Sequence, residues 1–274
     1  HDLALLLRLR RIFGQTRPDV ILSYTIKNNI FGSIAAKQIG IPFIPNVTGL
    51  GTAFLSGGFL ERTALMLYRT AFRNLPVVFF QNEDDRSLFE GRGIVTRDQS
   101  RLLPGSGIDL HHFAAAPYPA PDKAPVFLMI GRLLRDKGIL EYVEAARRVK
   151  AKHPEVRFQI LGATEAENRT AIGRDAVRSW EEEGVIEYLG TSDDVRSIIA
   201  AAHCVVLPSY REGAPRTLIE AAAMARPLIA TNVPGCRSVV DEGTTGFLCE
   251  VKSGESLASA CESLLSLNTK AQAA

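Results

Sequence analysis

Short, nearly unbroken apolar runs recur along the chain, separated by longer stretches whose apolar residues fall at every third or fourth position. In the first half the runs VILSY (20–24), FIPNV (43–47), VVFFQN (77–82) and RLLPG (101–105) read as strands, with helical patterns near 29–39, 60–75 and 84–92. The second half continues with VFLMIG (126–131), RFQILG (157–162), IEYLG (186–190), CVVLPS (204–209), LIATN (228–232) and GFLCE (246–250). Amphipathic segments such as GILEYVEAARRVKAKH (138–153) bridge them. Apolar strands alternating with amphipathic helices predict parallel sheets covered on both faces. The expected class is α/β, built from two doubly wound, Rossmann-like domains.

A stretch rich in Gly, Pro and Ala, GSGIDLHHFAAAPYPAPDKAP (105–125), separates the halves. The boundary is therefore expected near residue 115, giving domains 1–115 and 116–274. The apolar opening LALLLRLRRIF (3–13) is interrupted by Arg8, Arg10 and Arg11 and carries no small-residue cleavage site, so it does not read as a signal peptide. On a helical wheel Leu5, Leu6, Leu9, Ile12 and Phe13 share a face with Arg11 opposite, the pattern of an amphipathic helix. A start in mid-helix at His1, without Met, leads to the expectation of an N-terminal truncation and an incomplete first domain.

Composition narrows the classes. Of 274 residues, 46% are hydrophobic and 23% charged, the profile of a globular protein with a substantial core. A net charge of +2 points away from a nucleic-acid partner. No apolar run is long enough to span a bilayer. Cys204, Cys236, Cys249 and Cys261 are widely spaced, with no CxxC and no His pair at metal spacing. They read as reduced core or near-surface thiols, suited to a cytoplasmic location.

Three loops carry distinctive chemistry, each following a strand at the sheet edge where parallel α/β proteins bind ligands. The first is GRLLRDKG, where Gly131, Arg132 and Lys137 lead into a helix start. Two cations beside helix amides suit a diphosphate. The plainer alternative is a solvated loop in which Arg135, Asp136 and Lys137 pair with one another. The second is PSYREGAPRTLIEAAAMARP (208–227), which holds Glu212 in a loop and Glu220 eight positions later within the next helix. Pro215 suits the first turn, and the amides near Gly213 and Ala214 suit an anion. Carboxylates accept hydrogen bonds from vicinal sugar hydroxyls. The alternative is a dipole-favoured acid at 212 and a surface acid at 220. The third, TNVPGCRS (231–238), reads as a turn ahead of a short helix.

No GxGxxG follows a strand, and there is no Walker A loop, GxSxG or HExxH, so nicotinamide, flavin and these hydrolase chemistries are not indicated. Glu83, Asp84 and Asp85 read as acids opening helix 84–92, and Asp193 and Asp194 as opening a helix over 193–202.

Together GRLLRDKG, QILG, YLGTSDDV, VVLPSYREGAPRTLIEAAAMARPLIATNVPGC and DEGTTGFL resemble the family 4 glycosyltransferases, retaining enzymes of the two-domain GT-B fold. The first-half segment RPDVILSYTIKNNIFGSIAAKQIGIPFIPNVTGLGTAF resembles the branch that builds bacterial surface polysaccharide and lipid-linked glycans. The resemblance implies a nucleotide-sugar donor, UDP-linked hexose or N-acetylhexosamine, and a glycan or polyprenyl-diphosphate-linked acceptor. It implies no cofactor and no metal. Arg132 and Lys137 would hold the diphosphate, Glu212 the transferred sugar, and Gly213 and Ala214 sugar and phosphate, while Glu220 would accept from the ribose.

Where relatives carry His in the first-domain turn this chain has Thr48, so no acceptor-side His is assigned, and Lys27, Thr48 and Gly49 are only candidate cleft-lining residues. The Arg-bearing segment 54–75 is expected either to rest on an anionic membrane surface, at the cytoplasmic face of the inner membrane, or to be a core helix. A sugar-nucleotide 2-epimerase of the same architecture, or a non-catalytic binding fragment, are the alternatives in function.

Overall fold

In the computed structural model the described residues are 2–50, 58–103, 105–120, 122–164 and 170–267. They form two compact units: 1–106 with 212–214, and 107–211 with 215–274. The division falls upstream of the expected residue 115. Ile108, Phe113 and Ala116 pack against the apolar core of the second unit, so the Pro-rich stretch belongs to that unit instead of straddling a boundary.

The first unit runs α1 (Asp2–Thr16), β1 (Ile21–Tyr24), α2 (Ile26–Ile39), β2 (Phe43–Val47), α3 (Gly58–Phe72), β3 (Val78–Phe80), α4 (Glu83–Gly91) and β4 (Ser100–Leu102). Its parallel sheet has the order β1-β2-β3-β4. Phe43, Val47, Val78 and Phe80 point to one face and pack with Leu65, Tyr68, Phe72 and Phe89 of α3 and α4. Alternation puts Leu22 and Tyr24 of β1 on the other face, where both are exposed. In α1, Leu5, Leu6, Leu9 and Phe13 are half-buried, whereas Ile12 is exposed. Polar residues of α2 tie the layers together: Asn29 Nδ2 donates to the Asn46 carbonyl (2.8 Å), and Lys37 Nζ donates to the Ala71 carbonyl (2.7 Å) at the carboxyl end of α3.

The second unit contains β5 (Val126–Ile130), a 3-10 turn (Arg135–Lys137), α5 (Ile139–Lys152), β6 (Arg157–Leu161), α6 (Arg174–Glu182), β7 (Glu187–Tyr188), α7 (Arg196–Ala201) and β8 (Cys204–Leu207). It closes with α8 (Arg216–Ala223), β9 (Leu228–Thr231), α9 (Pro234–Arg237), β10 (Gly246–Cys249) and α10 (Gly254–Ser266). Six parallel strands stand in the order β10-β9-β8-β5-β6-β7, and a separate apolar cluster lies on each face of the sheet. The four cysteines are buried and unpaired with one another.

The helix expected from Asp193 begins only at Arg196. Asp194 stays outside it, and its carboxylate accepts from the Arg196 amide (3.0 Å) and side chain (2.6 Å). A short polar side chain that bonds backbone two residues ahead favours a turn over another helical residue. By contrast Glu83, Asp84 and Asp85 do open α4, with Asn82 as the cap accepting from the Asp85 amide.

Candidate active site

In the second unit the chain builds outward through β5, β6 and β7, then returns to lay β8 beside β5. That reversal is a topological switch point, and the crevice beyond the strand carboxyl ends there is where open α/β sheets bind ligands. Two of the three loops named from the sequence leave these two strands: Gly131–Gly138 follows β5 and Pro208–Pro215 follows β8. Adjacent strands of one sheet lie about 4.8 Å apart, so the two loops are neighbours by construction.

Within the first loop Arg132 is exposed and Lys137 half-buried, with Lys137 in the 3-10 turn ahead of α5. Gly138 ends the turn at φ 75°, a left-handed conformation that favours glycine. A Cβ there would stand 2.0 Å from the Pro208 carbonyl oxygen. Backbone therefore packs on backbone between the two loops, which no larger residue at 138 would allow.

Pro215 occupies the position just before α8 rather than inside its first turn. The missing N–H is harmless at either place. Glu220 lies one turn inside α8. Its side chain is only 13% exposed, which removes the surface-acid alternative, and it pairs with the exposed Arg216 at 3.1 Å. An ion pair with one partner in solvent binds weakly and is readily exchanged for another donor.

Glu212, Gly213 and Ala214 group by their contacts with the first unit, as do Lys27, Thr48 and Gly49. There the Asn82 side-chain amide donates to the Gly213 carbonyl (3.2 Å), and a Cβ at 213 would lie 2.0 Å from the Thr48 carbonyl oxygen. The requirement for glycine at 213 thus has a packing cause. Lys27 is a surface residue on α2 paired with Asp2 at 2.8 Å.

Sequence reasoning passed over Gln81 and Asn82, polar residues more than nine-tenths buried at the carboxyl end of β3. Their signal was present: an apolar strand that ends in two amides at the ligand-binding edge of a parallel sheet. It also passed over a cavity of about 480 Å³ beyond β6 and β7, lined by Thr164, Arg174, Arg178, Tyr188 and Thr191 among others. Among the described residues no cluster of His, Cys, Asp and Glu is arranged to hold a metal ion, and no helix is long and apolar enough to cross a membrane.

A family model described as glycosyl transferases group 1 matches residues 124–267, and one for the glycosyl transferase 4-like domain matches residues 1–106. The chain is 28% identical over 273 residues to N,N'-diacetylbacillosaminyl-diphospho-undecaprenol alpha-1,3-N-acetylgalactosaminyltransferase of Campylobacter jejuni, covering 94% of this chain and 70% of that protein. It is 26% identical to UDP-Gal:alpha-D-GlcNAc-diphosphoundecaprenol alpha-1,3-galactosyltransferase of Escherichia coli, covering 94% and 69%. Among solved structures, Anabaena HepE in complex with UDP superposes with a TM-score of 0.77 at 18% identity, covering 98% of this chain and 74% of that one. Sucrose-phosphate synthase from Thermosynechococcus elongatus gives 0.79 at 22%, covering 98% and 69%. These likenesses identify the fold as GT-B.

Proposed function

We propose that this chain, which belongs to the group 1 glycosyl transferases and is a glycosyltransferase, moves a hexose or N-acetylhexosamine from a UDP-linked donor to a polyprenyl-diphosphate-linked glycan with retention of anomeric configuration. The observation that supports a donor site here is the placement of GRLLRDKG and the Glu-x7-Glu segment after the two strands that flank the switch point. The relatives named as acting on undecaprenyl-diphosphate-linked sugars support the acceptor class. The neighbour solved with UDP supports the nucleotide.

In this reading Arg132 and Lys137 hold the diphosphate. Negative charge grows on the leaving phosphate as the glycosidic bond breaks, so preorganised cations lower the barrier more than they tighten ground-state binding. Glu212 accepts hydrogen bonds from the transferred sugar and Glu220 from the ribose, with the Arg216 pair giving way. No step calls for a metal.

The first unit adds a second element. Residues 1–106 carry 13 Lys and Arg against 8 Asp and Glu, whereas 107–274 carry 19 against 22. On α3 and just beyond it Arg62, Met66, Arg69 and Arg73 form an exposed stripe at helical spacing, while Ala64, Leu65, Tyr68, Ala71 and Phe72 face the core. The helix is thus a core element on one side and a cationic surface on the other. That surface suits an anionic bilayer holding the lipid-linked acceptor. Residues 54–57, the start of the segment read this way from the sequence, lie outside the described residues.

Calorimetric titration with UDP, GDP, ADP and NAD, on the chain and on Glu220→Ala, tests the donor site. Selective UDP binding that weakens in the variant is expected. In turnover assays Lys137→Ala is expected to lose about 10²-fold in kcat. A folded chain that binds none of the nucleotides, or a Lys137→Ala variant with unchanged kcat, overturns the assignment.

A further inference from the structure

We propose that Tyr210 is a positioning residue for sugar transfer, bracing the loop that leads from β8 into Glu212 against the element that carries Lys137; the inference rests on the donor-site reading above. Tyr210 stands two residues before Glu212, and its backbone N–H donates to the carbonyl of Asp136, the residue before Lys137, at 2.9 Å. The phenol then reaches past the 3-10 turn to donate to Glu141 Oε1 in the first turn of α5, at 2.7 Å. The Lys252 ammonium lies 5.0 Å from the ring centroid, within cation–π range. One residue earlier, Ser209 is fully buried and its carbonyl accepts from Thr231 Oγ1 at the end of β9. The loop is thereby tied to three separate elements of the second unit before the chain enters Glu212.

The Glu141 end has no competing use. Its Oε2 is buried with no hydrogen-bond partner among the described residues, and the first turn of a helix favours a carboxylate. Burial and the bond to Glu141 both raise the Tyr210 pKa, so the phenol stays a donor throughout any ordinary assay range. A hydroxyl given to a charged acceptor at this distance holds a ring in one rotamer far better than packing alone. Tyr210 carries no group that would touch donor or acceptor in this reading. Its influence passes through the backbone of the residues that follow.

This separates binding from turnover. UDP, held by the Lys137 loop and Glu220, is expected to bind Tyr210→Phe with a Kd within about twofold of wild type. The variant's kcat is expected to fall about tenfold as the sugar-contacting segment loosens. Glu141→Leu should match Tyr210→Phe, and the double variant should be no worse than either single one, because both remove the same bond. Glu141→Gln keeps an acceptor oxygen and should retain most of the wild-type kcat. Hydrogen exchange at the amides of Ser209, Tyr210 and Arg211, read independently of activity, should accelerate in Tyr210→Phe and not in Glu141→Gln.

An active wild type whose Tyr210→Phe variant keeps full kcat, or unchanged protection of the 209–211 amides in that variant, overturns the brace and leaves the donor site standing. So do losses that add in the double variant. A wild type that neither binds UDP nor transfers sugar refutes the donor site, and the brace falls with it.

Discussion

Replacing Arg226 should reveal how much the second unit depends on one buried cation. Arg226 follows α8, is 3% exposed, and all of its described hydrogen-bond acceptors are backbone carbonyls. Nε donates to Ile199 (3.2 Å), Nη1 to Ala116 (3.2 Å) and Ala225 (3.0 Å), and Nη2 to Pro117 (2.5 Å) and Ala200 (3.1 Å). That occupies all five N–H groups of the guanidinium. Two acceptors lie in the last turn of α7, where the Ile199 carbonyl also accepts from the Ala202 N–H, and two lie in the Pro-rich stretch that opens the unit.

Hydrogen bonds from a charged donor contribute roughly 1.5–3 kcal/mol each, but desolvating the cation offsets several kcal/mol of that sum. Removing one member of such a buried network costs about 3–5 kcal/mol. At about 2–4 °C per kcal/mol for a unit of this size, Arg226→Met is expected to lower Tm by roughly 10 °C. Arg226→Lys keeps the charge but offers only three donors, so it should fall between. Differential scanning calorimetry at neutral pH measures this, and limited proteolysis should show earlier cleavage within 107–125. A Tm within about 2 °C of wild type for Arg226→Met would refute the reasoning, since the five carbonyls would then have other partners.

Two further outcomes follow from the same structure. His203 is buried with Nδ1 accepting from the Val126 N–H at 3.1 Å, and burial, then Arg226, then Lys123, lower its pKa. The unfolded chain takes up a proton near pH 6.5 while the folded one does not. Stability is therefore full above that pH and declines as pH falls, by up to about 1.4 kcal/mol per unit, until the folded-state pKa is passed. Urea unfolding at pH 7.5 and 5.5 should show a shallower fall for His203→Asn, and an equal fall would exclude His203 as the cause. On the first unit, flotation with anionic vesicles should recover wild type, with Arg62→Glu/Arg69→Glu/Arg73→Glu staying behind. Equal recovery of the two would remove the α3 stripe as the contact surface.

The apolar rhythm alone carried the architecture. Strands such as Phe43–Val47, Val126–Ile130 and Cys204–Leu207 were legible because a parallel strand buried on both faces must be apolar throughout. The loops with Arg132, Lys137, Glu212 and Glu220 were legible because charged residues follow directly on apolar strands, at the edge where open α/β sheets bind ligands. Exact ends were less so: the Arg196 amide donates to the Asp194 carboxylate, which postponed a helix that charge pattern alone began at 193.

What only the tertiary structure decided are the long-range acceptors. No local pattern pairs Tyr210 with Glu141, Arg226 with Pro117, or Gly138 with the Pro208 carbonyl, because each partner is 69 or more positions away. Sequence periodicity reports which face of an element is buried. It cannot report which backbone carbonyl that face meets, since that depends on how β8 returns to lie beside β5.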